Sequence, residues 1–420
     1  MSATITDSQA DDTANAESAP HPYRWVVLFG VWLMYFSFGL CIASMAPMVT
    51  EIAADLQADP GGMGAVLGAW QLIYIAAALP LGALMDRTGV ALGLMLSAVV
   101  MAGSLALRGA AGSEAFLFFA VAVFGLGGPM VSIGAPKLIA LWFQGASRGM
   151  AMGIYMTGPA LGGIAVLWLV QRSLLPAVGS WREVLWVMAG FVLVSGLVWL
   201  AISRHPEARA RDGSVEGLSK AGSLKALAEL SRLRTVQIVL LMSIGIFMLN
   251  HGLTNWLPEI LRDKGMDPVA ASDWASIPTI VGVFGALLIP RFATPRRRVP
   301  IMLGLFVAVL VATLLLHLMP GIGLATGLIL QGIARSSMMT VAILLLMEAP
   351  GVPSERAGMA AGMFFTVAEV GGVLGPLSIG LVAGATGGFA MPLWMLSLVA
   401  LLLLGLLGWL RVMERRAQPV

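Results

Sequence analysis

The sequence predicts an all-α membrane protein whose twelve transmembrane helices form two pseudo-symmetric six-helix bundles. Hydrophobic residues make up 58% of the 420 residues and charged residues only 11%, whereas a soluble domain carries about 25% charged residues. Apolar stretches recur that match the roughly 20 helical residues needed to cross a bilayer core about 30 Å thick. A motif in the first half also returns in the second half. Lipid is therefore the expected solvent for most of the surface.

The predicted spans follow one another with short polar connections, which leave no room for a soluble folded domain. They cover 24–48, 62–84, 90–108, 115–142, 149–171, 182–203, 235–258, 271–290, 299–319, 321–346, 357–383 and 390–411.

The segments outside the spans define the predicted domain organisation. Residues 1–23 are polar and acidic without an apolar run, which predicts a disordered cytoplasmic tail and not a signal peptide. An N-terminal bundle (24–203), a cytoplasmic linker (204–234), a C-terminal bundle (235–411) and a short cytoplasmic tail (412–420) follow. The end of the linker is either an amphipathic helix on the inner leaflet or a plain connection.

The distribution of the basic residues indicates the membrane topology. Most Lys and Arg residues fall in loops on the side of the N-terminus, and few, such as Arg108 and Arg262, fall on the other side. This bias predicts a multi-pass protein of the cytoplasmic (inner) membrane with both termini in the cytoplasm. Because these residues sit in short loops, they do not indicate nucleic-acid binding. The single cysteine, Cys41, has no disulfide partner, and we expect neither a metal nor a cofactor.

The two halves repeat each other. GMAMGIYMTGPALGG (149–163) aligns with GMAAGMFFTVAEVGG (358–372), and the shared positions include the Gly-Met-Ala start and the final Gly-Gly pair. Six-span halves repeated in parallel are a known plan of membrane transporters.

Three motifs resemble those of the major facilitator superfamily over nearly the whole chain. They are GALMDRTG (82–89), GIYMTGPALGG (153–163) and the run 125–149, which is similar to cyanate permease-like and organic-anion carriers of bacteria. The family's usual arginine is absent from 118–125. The resemblance implies the major facilitator fold and a permease, not an enzyme, that moves a small solute by alternating access. We expect a monomer with no cofactor.

The resemblance also implies conformational roles. Gly82, Asp86, Arg87 and Gly89 either latch the halves during the transport cycle or form a tight turn with a local ion pair. Gly158 and Pro159 either let span 5 bend or serve close packing.

Charges at mid-membrane are costly and therefore functional candidates. Arg335 and Glu369 lie near the centres of spans 10 and 11. Arg335 either binds an anionic group of the substrate or forms a structural ion pair with Glu369. If such a pair opens, Glu369 can titrate and couple transport to protons. Lys137 lies near the end of span 4 and is expected to snorkel to the interface.

Uncharged polar residues within the spans complete the candidate site. The resemblance has spans 1, 4, 7 and 10 line a central cavity. His251 and Asn255, four residues apart, share a helix face. The alternative for each of these residues is hydrogen bonding between helices. The substrate-binding candidates besides Arg335 are Tyr35, Gln71, Tyr74, Asn250, His251, Asn255 and Gln331.

Three functions remain open. The first is a carrier of a small organic or inorganic anion, indicated by Arg335. The second is a proton-coupled exporter of amphipathic drug-like compounds, indicated by Glu369 and the Gly-Pro motif. The third is a membrane sensor or receptor without transport, which would normally need a soluble output domain. The sequence contains no GxxxxGK[ST] or HExxH motif, which argues against an ATP-driven pump and a metalloenzyme.

Overall fold

The computed structural model describes residues 21–212, 224–353 and 356–417, and most of them belong to twelve long apolar helices. We number these α1 to α12 and name the short helices by their residues. The predicted fold class is confirmed. The long helices are Arg24–Ala43, Pro60–Thr88, Val90–Gly109, Glu114–Trp142, Gly145–Leu169, Trp181–Ser203, Arg234–Asp263, Pro268–Phe292, Arg298–Leu318, Ile322–Met347, Ala357–Thr386 and Ala390–Ala417.

The bundle has two faces. The terminal face carries the start of α1 and the end of α12, and the distal face lies opposite. Four helices that begin at the distal face are capped by a side chain that accepts a hydrogen bond from a first-turn N–H. The capping residues are Asp59, Ser113, Ser180 and Asp267. Such caps satisfy N–H groups that lack helical partners, so these helices extend beyond their apolar stretches.

The first predicted span is interrupted near its distal end. α1 ends at Ala43, and a 3-10 turn (Ala46–Met48) and a short helix (Val49–Leu56) follow. Arg108 donates from Nη1 to the Cys41 carbonyl oxygen at 3.0 Å and to Ser44 Oγ at 2.9 Å. Its residue surface is only 2% exposed. Arg108 therefore lies in the last turn of α3 at the distal face, where its guanidinium satisfies the end of α1.

The sequence repeat appears as two equivalent helix seams. A Cβ atom at Gly162 would overlap the carbonyl oxygen of Phe36, and one at Gly371 would overlap that of Ile244. Because these positions carry no side chain, α5 packs closely on α1, and α11 on α7. The aligned glycines thus make the same contact in each half, and the halves are structural repeats.

The two halves meet at the distal face. Four residues, which we call the distal lock, join the segment after α1 to α7: Thr50, Glu51, Glu259 and Arg262. Thr50 Oγ1 donates to Glu259 Oε2 at 2.5 Å, and Arg262 Nη1 lies 3.2 Å from Glu51 Oε1 and from Glu259 Oε1. Nearby, α2 and α11 approach so closely that a Cβ at Gly64 would lie 2.6 Å from the carbonyl oxygen of Pro376.

The connection between the halves contains two short helices, Pro206–Asp212 and Leu224–Ser231. In the second, Leu230 is buried against the protein, and Glu229 forms a 2.8 Å ion pair with Arg356. The helix packs on α7 and α11, so the end of the linker is helical and contacts the protein. The predicted N-terminal tail before residue 21 and the middle of the linker (213–223) lie outside the described residues.

Candidate functional site

A cavity of about 370 Å³ lies between the two halves. Helices α1 and α5 form its wall on one side, and α7, α8 and α10 form the other. The distal lock lies beyond its distal end. Three predicted substrate-binding residues (Asn250, His251 and Arg335) line the cavity, as does Pro159.

Arg335 lies close to the middle of the 26-residue α10. Its Nη2 donates to the backbone oxygen of Asn250 at 2.9 Å, to Asn250 Oδ1 at 2.8 Å and to Thr254 Oγ1. Its Nε lies 3.2 Å from the same Oδ1. These bonds hold the guanidinium between α10 and α7, and they use Nε and Nη2 but not Nη1.

The predicted ion pair between Arg335 and Glu369 is not formed. No described Asp or Glu lies within ion-pair distance of Arg335. Glu369 is buried elsewhere, and its Oε2 has no hydrogen-bond partner among the described residues. Arg335 bonds Asn250 and Thr254, whereas Glu369 lies beside Gln71 and His251. Arg335 therefore contributes an uncompensated positive charge to the cavity.

Glu369 belongs to a second polar group, at the contact of α2, α7 and α11. Glu369, Gln71 and His251 all surround Gly372, and Gln71 Nε2 lies 3.4 Å from His251 Nδ1. Tyr74 is close enough to Glu369 to interact electrostatically. His251 thus contacts this group and also lines the cavity.

The remaining candidates do not line the cavity. Tyr35 is buried with its ring edge-on to Tyr155 at 5.0 Å. Asn255 Nδ2 donates to the His251 carbonyl oxygen at 2.8 Å, which turns the side chain back onto its own helix. Gln331 is fully buried, and its amide has no hydrogen-bond partner among the described residues.

Sequence reasoning missed several hydroxyl side chains at the cavity. Thr254 lies one helical turn after Asn250 and completes the hold on Arg335. The i, i+4 spacing that indicated His251 and Asn255 applies equally to this neighbouring pair, and periodicity does not say which face reaches the cavity. A threonine hydroxyl in a membrane helix can bond to a carbonyl oxygen of its own helix, so the residue type alone did not indicate a site. The other missed residues at the cavity are Thr157, Thr279 and Ser336.

The loop motif forms local contacts within the N-terminal half. Asp86 forms an ion pair with Lys137 of α4, and Arg87 is exposed. Lys137, which lies near the end of α4, therefore pairs with a carboxylate of the loop motif. Gly89 has φ +89°, and Asp212 Oδ1 accepts from the Val90 amide beside it at 3.0 Å. Of the two alternatives for this motif, the local turn with an ion pair is the one seen in this conformation.

The Gly-Pro motif borders both α1 and the cavity. A Cβ at Gly158 would lie 2.9 Å from the Trp32 carbonyl oxygen, so this glycine serves close packing. Gly82, in contrast, has only an ordinary contact with Ile133 at 3.4 Å.

A family model described as Major Facilitator Superfamily matches residues 31–376. The chain belongs to this superfamily and is a multi-pass membrane transporter, not an enzyme. It is 26% identical to "Uncharacterized transporter YycB" of Bacillus subtilis (strain 168), with 93% of this chain and 95% of the relative covered. It is 22% identical to "Probable galactarate/D-glucarate transporter GudP" of Escherichia coli (strain K12), with 91% and 92% covered.

A solved structure agrees on the fold. The crystal structure of the nucleoside transporter NupG superimposes with a TM-score of 0.76 at 17% identity. The match covers 93% of this chain and 99% of that chain.

Proposed function

We propose that this protein is a secondary active transporter that carries a small anion across the cytoplasmic membrane by alternating access, with Arg335 as the anchor for the anion. The observation that carries this proposal is the position of Arg335, which lines the cavity between the halves without a described carboxylate partner. An isolated buried charge is costly, and a bound anion offsets that cost. Asn250 and Thr254 hold the guanidinium in place before the anion arrives.

Two further observations support the proposal. One relative is named as a transporter of galactarate and D-glucarate, which are anions of organic acids. The loops at the terminal face hold most of the basic residues, which supports a cytoplasmic position of both termini. In that orientation the distal lock faces the outside. The proposed carrier acts as a monomer.

A thermal-shift screen of the purified protein tests the proposal. We expect small carboxylates to raise the melting temperature and lipophilic cations to leave it unchanged. A ligand at a hundred times its dissociation constant stabilises the folded state by about 2.7 kcal/mol. Stabilisation by lipophilic cations alone would contradict the anion carrier.

The second candidate is a proton-coupled exporter of amphipathic compounds. The buried Glu369, with one oxygen unpartnered among the described residues, favours it because such a carboxyl group can take up and release a proton. His251 and Tyr74 are the titratable groups that face Glu369 from α7 and α2. An exporter would lose activity in Glu369→Gln and keep it in Arg335→Gln, whereas the anion carrier would do the reverse.

Breaking the distal lock is expected to open the cavity to the outside. The double variant Glu51→Gln, Glu259→Gln removes both carboxylates that bind Arg262. We expect the double variant to remove about 1.4 kcal/mol of stabilisation from the conformation with a closed distal lock, which shifts the equilibrium toward the open conformation tenfold. A cysteine at Ala46 should then react roughly tenfold faster with an impermeant maleimide added outside. Ala46 lines the cavity and is 1% exposed. The measurement uses a Cys41→Ser background.

The control for this experiment is Asp55→Asn. It breaks the ion pair between Asp55 and Arg182, which lies on the distal face but within one half. Equal labelling rates in the lock variant and the parent, or an equal rise in the control, would contradict a gate at this position.

A further inference from the structure

The charges at the cavity limit the anions that it can hold. Among the described residues that line it, Arg335 is the only Lys or Arg, and none is Asp or Glu. His251 is the only other titratable lining residue in that part of the chain. A dianion would place one carboxylate on Arg335 and leave the second without a cationic partner among the described residues that line the cavity. Burying an unpaired charge is strongly unfavourable, so the cavity favours a single negative charge.

The polar side chains of the cavity are largely engaged with the protein itself. The Thr157 hydroxyl donates to the Ile154 carbonyl oxygen at 2.7 Å and accepts from Trp32 Nε1 at 3.0 Å. The Ser336 hydroxyl donates to the Ile333 carbonyl oxygen at 3.1 Å. Asn250 Oδ1 and Thr254 Oγ1 accept from Arg335. The Thr279 hydroxyl is the one lining hydroxyl without such a bond among the described residues. A substrate rich in hydroxyl groups would therefore find few free partners here, and unmatched hydroxyls cost free energy.

The rest of the wall is apolar. It combines small residues that leave room with larger side chains that can contact a substrate body. The larger apolar residues include Ile42, Met156, Leu167, Leu257, Val283 and Leu287.

From these observations we infer that the substrate is a monocarboxylate with an apolar body, such as an aromatic or alicyclic acid, and not a sugar diacid or a bare inorganic anion. The carboxylate binds Arg335 through Nη1, the nitrogen not used in the bonds to Asn250 and Thr254. The apolar body lies against the aliphatic wall. This inference rests on the proposed function, because it takes Arg335 as the anion anchor.

Gly153 provides a test of the apolar body alone. It lines the cavity, and a Cβ there would have no atom within 4 Å. The Cβ of a leucine at this position would therefore meet no protein atom, and we expect the rest of the side chain to take up space in the cavity. Gly362 is the equivalent glycine of the repeat on α11; it also has open space around it, but it does not line the cavity. Gly362→Leu is thus a matched control.

The experiment measures equilibrium binding of acetate, benzoate, cyclohexanecarboxylate, galactarate and nitrate to the full-length protein in detergent. We expect benzoate and cyclohexanecarboxylate to bind at least tenfold more tightly than acetate, nitrate or galactarate. Gly153→Leu should weaken cyclohexanecarboxylate binding at least tenfold and acetate binding much less. Gly362→Leu should leave both unchanged, and Arg335→Gln should weaken the binding of every probe about a hundredfold or more.

The outcomes separate the two proposals. If galactarate or nitrate binds most tightly and the binding is lost in Arg335→Gln, the anion carrier stands and the apolar monocarboxylate is wrong. Equal weakening of acetate and cyclohexanecarboxylate in Gly153→Leu would also overturn the apolar body. If no probe binds, or if binding persists in Arg335→Gln, the anion carrier itself is wrong.

Discussion

Replacing Arg335 with glutamine is expected to abolish anion uptake in cells and to weaken anion binding by about a hundredfold or more. Truncating one partner of a buried charge pair costs about 2–5 kcal/mol, and a hundredfold change corresponds to about 2.7 kcal/mol. Glutamine keeps part of the hydrogen bonding to Asn250 and Thr254 but carries no charge. The measurements are uptake of labelled benzoate and calorimetric binding to the purified variant.

Two further variants sharpen the interpretation. Arg335→Lys keeps the charge but loses the planar fork of donors, so we expect an intermediate affinity. Arg291→Gln removes an exposed charge from α8, away from the cavity, and should bind like the parent. Size-exclusion behaviour and melting temperature show whether each variant is folded. Unchanged affinity in a folded Arg335→Gln protein would refute the anchor role.

Adding one methyl group at Gly371 is expected to destabilise the protein severely. In Gly371→Ala the new Cβ would overlap the carbonyl oxygen of Ile244, which belongs to the backbone of α7 and cannot rotate away. Overpacking of this kind costs about 3 kcal/mol at the upper end of the usual range. We expect a lower melting temperature and a smaller yield of monodisperse protein.

Gly362→Ala is the matched control on the same helix. A Cβ at Gly362 would have no atom within 4 Å, so we expect a change within about 0.5 kcal/mol. Similar stability of the two variants would mean that the seam between α7 and α11 is looser than the overlap at Gly371 indicates.

The fold was largely predictable because lipid imposes a simple rule. Twelve apolar stretches became twelve helices, since backbone groups in a bilayer must be paired within the segment. The helix boundaries differ from the predicted spans where polar side chains form hydrogen bonds with helix ends. The first span is interrupted because buried Arg108 satisfies carbonyl groups at the end of α1. The α2 helix begins before its predicted span because Asp59 caps it.

The site was predictable in its residue types and not in its partners. An arginine near the middle of a membrane span is energetically costly and is therefore a functional candidate. Arg335 was identified from the sequence for this reason. Its neighbours depend on helix rotation, and hydropathy carries no information on rotation for helices that are apolar on most sides. Consequently the ion pair between Arg335 and Glu369, one of the two alternatives for Arg335, is not formed, and Thr254 was not identified. The distal lock was missed because its residues lie in polar segments that are remote in sequence.

The α7 helix carries both the residues that hold Arg335 and two residues of the distal lock, and Pro258 lies between the two sets. Proline has no backbone N–H, so the carbonyl oxygen of Thr254 lacks its usual helical partner and the helix can bend there. In the proposed transport cycle, the anchor for the anion and the distal lock are therefore joined by a segment of α7 that can bend. Such a segment would let the distal lock open while Asn250 and Thr254 keep their contacts with Arg335, so opening on the distal side need not release the anion.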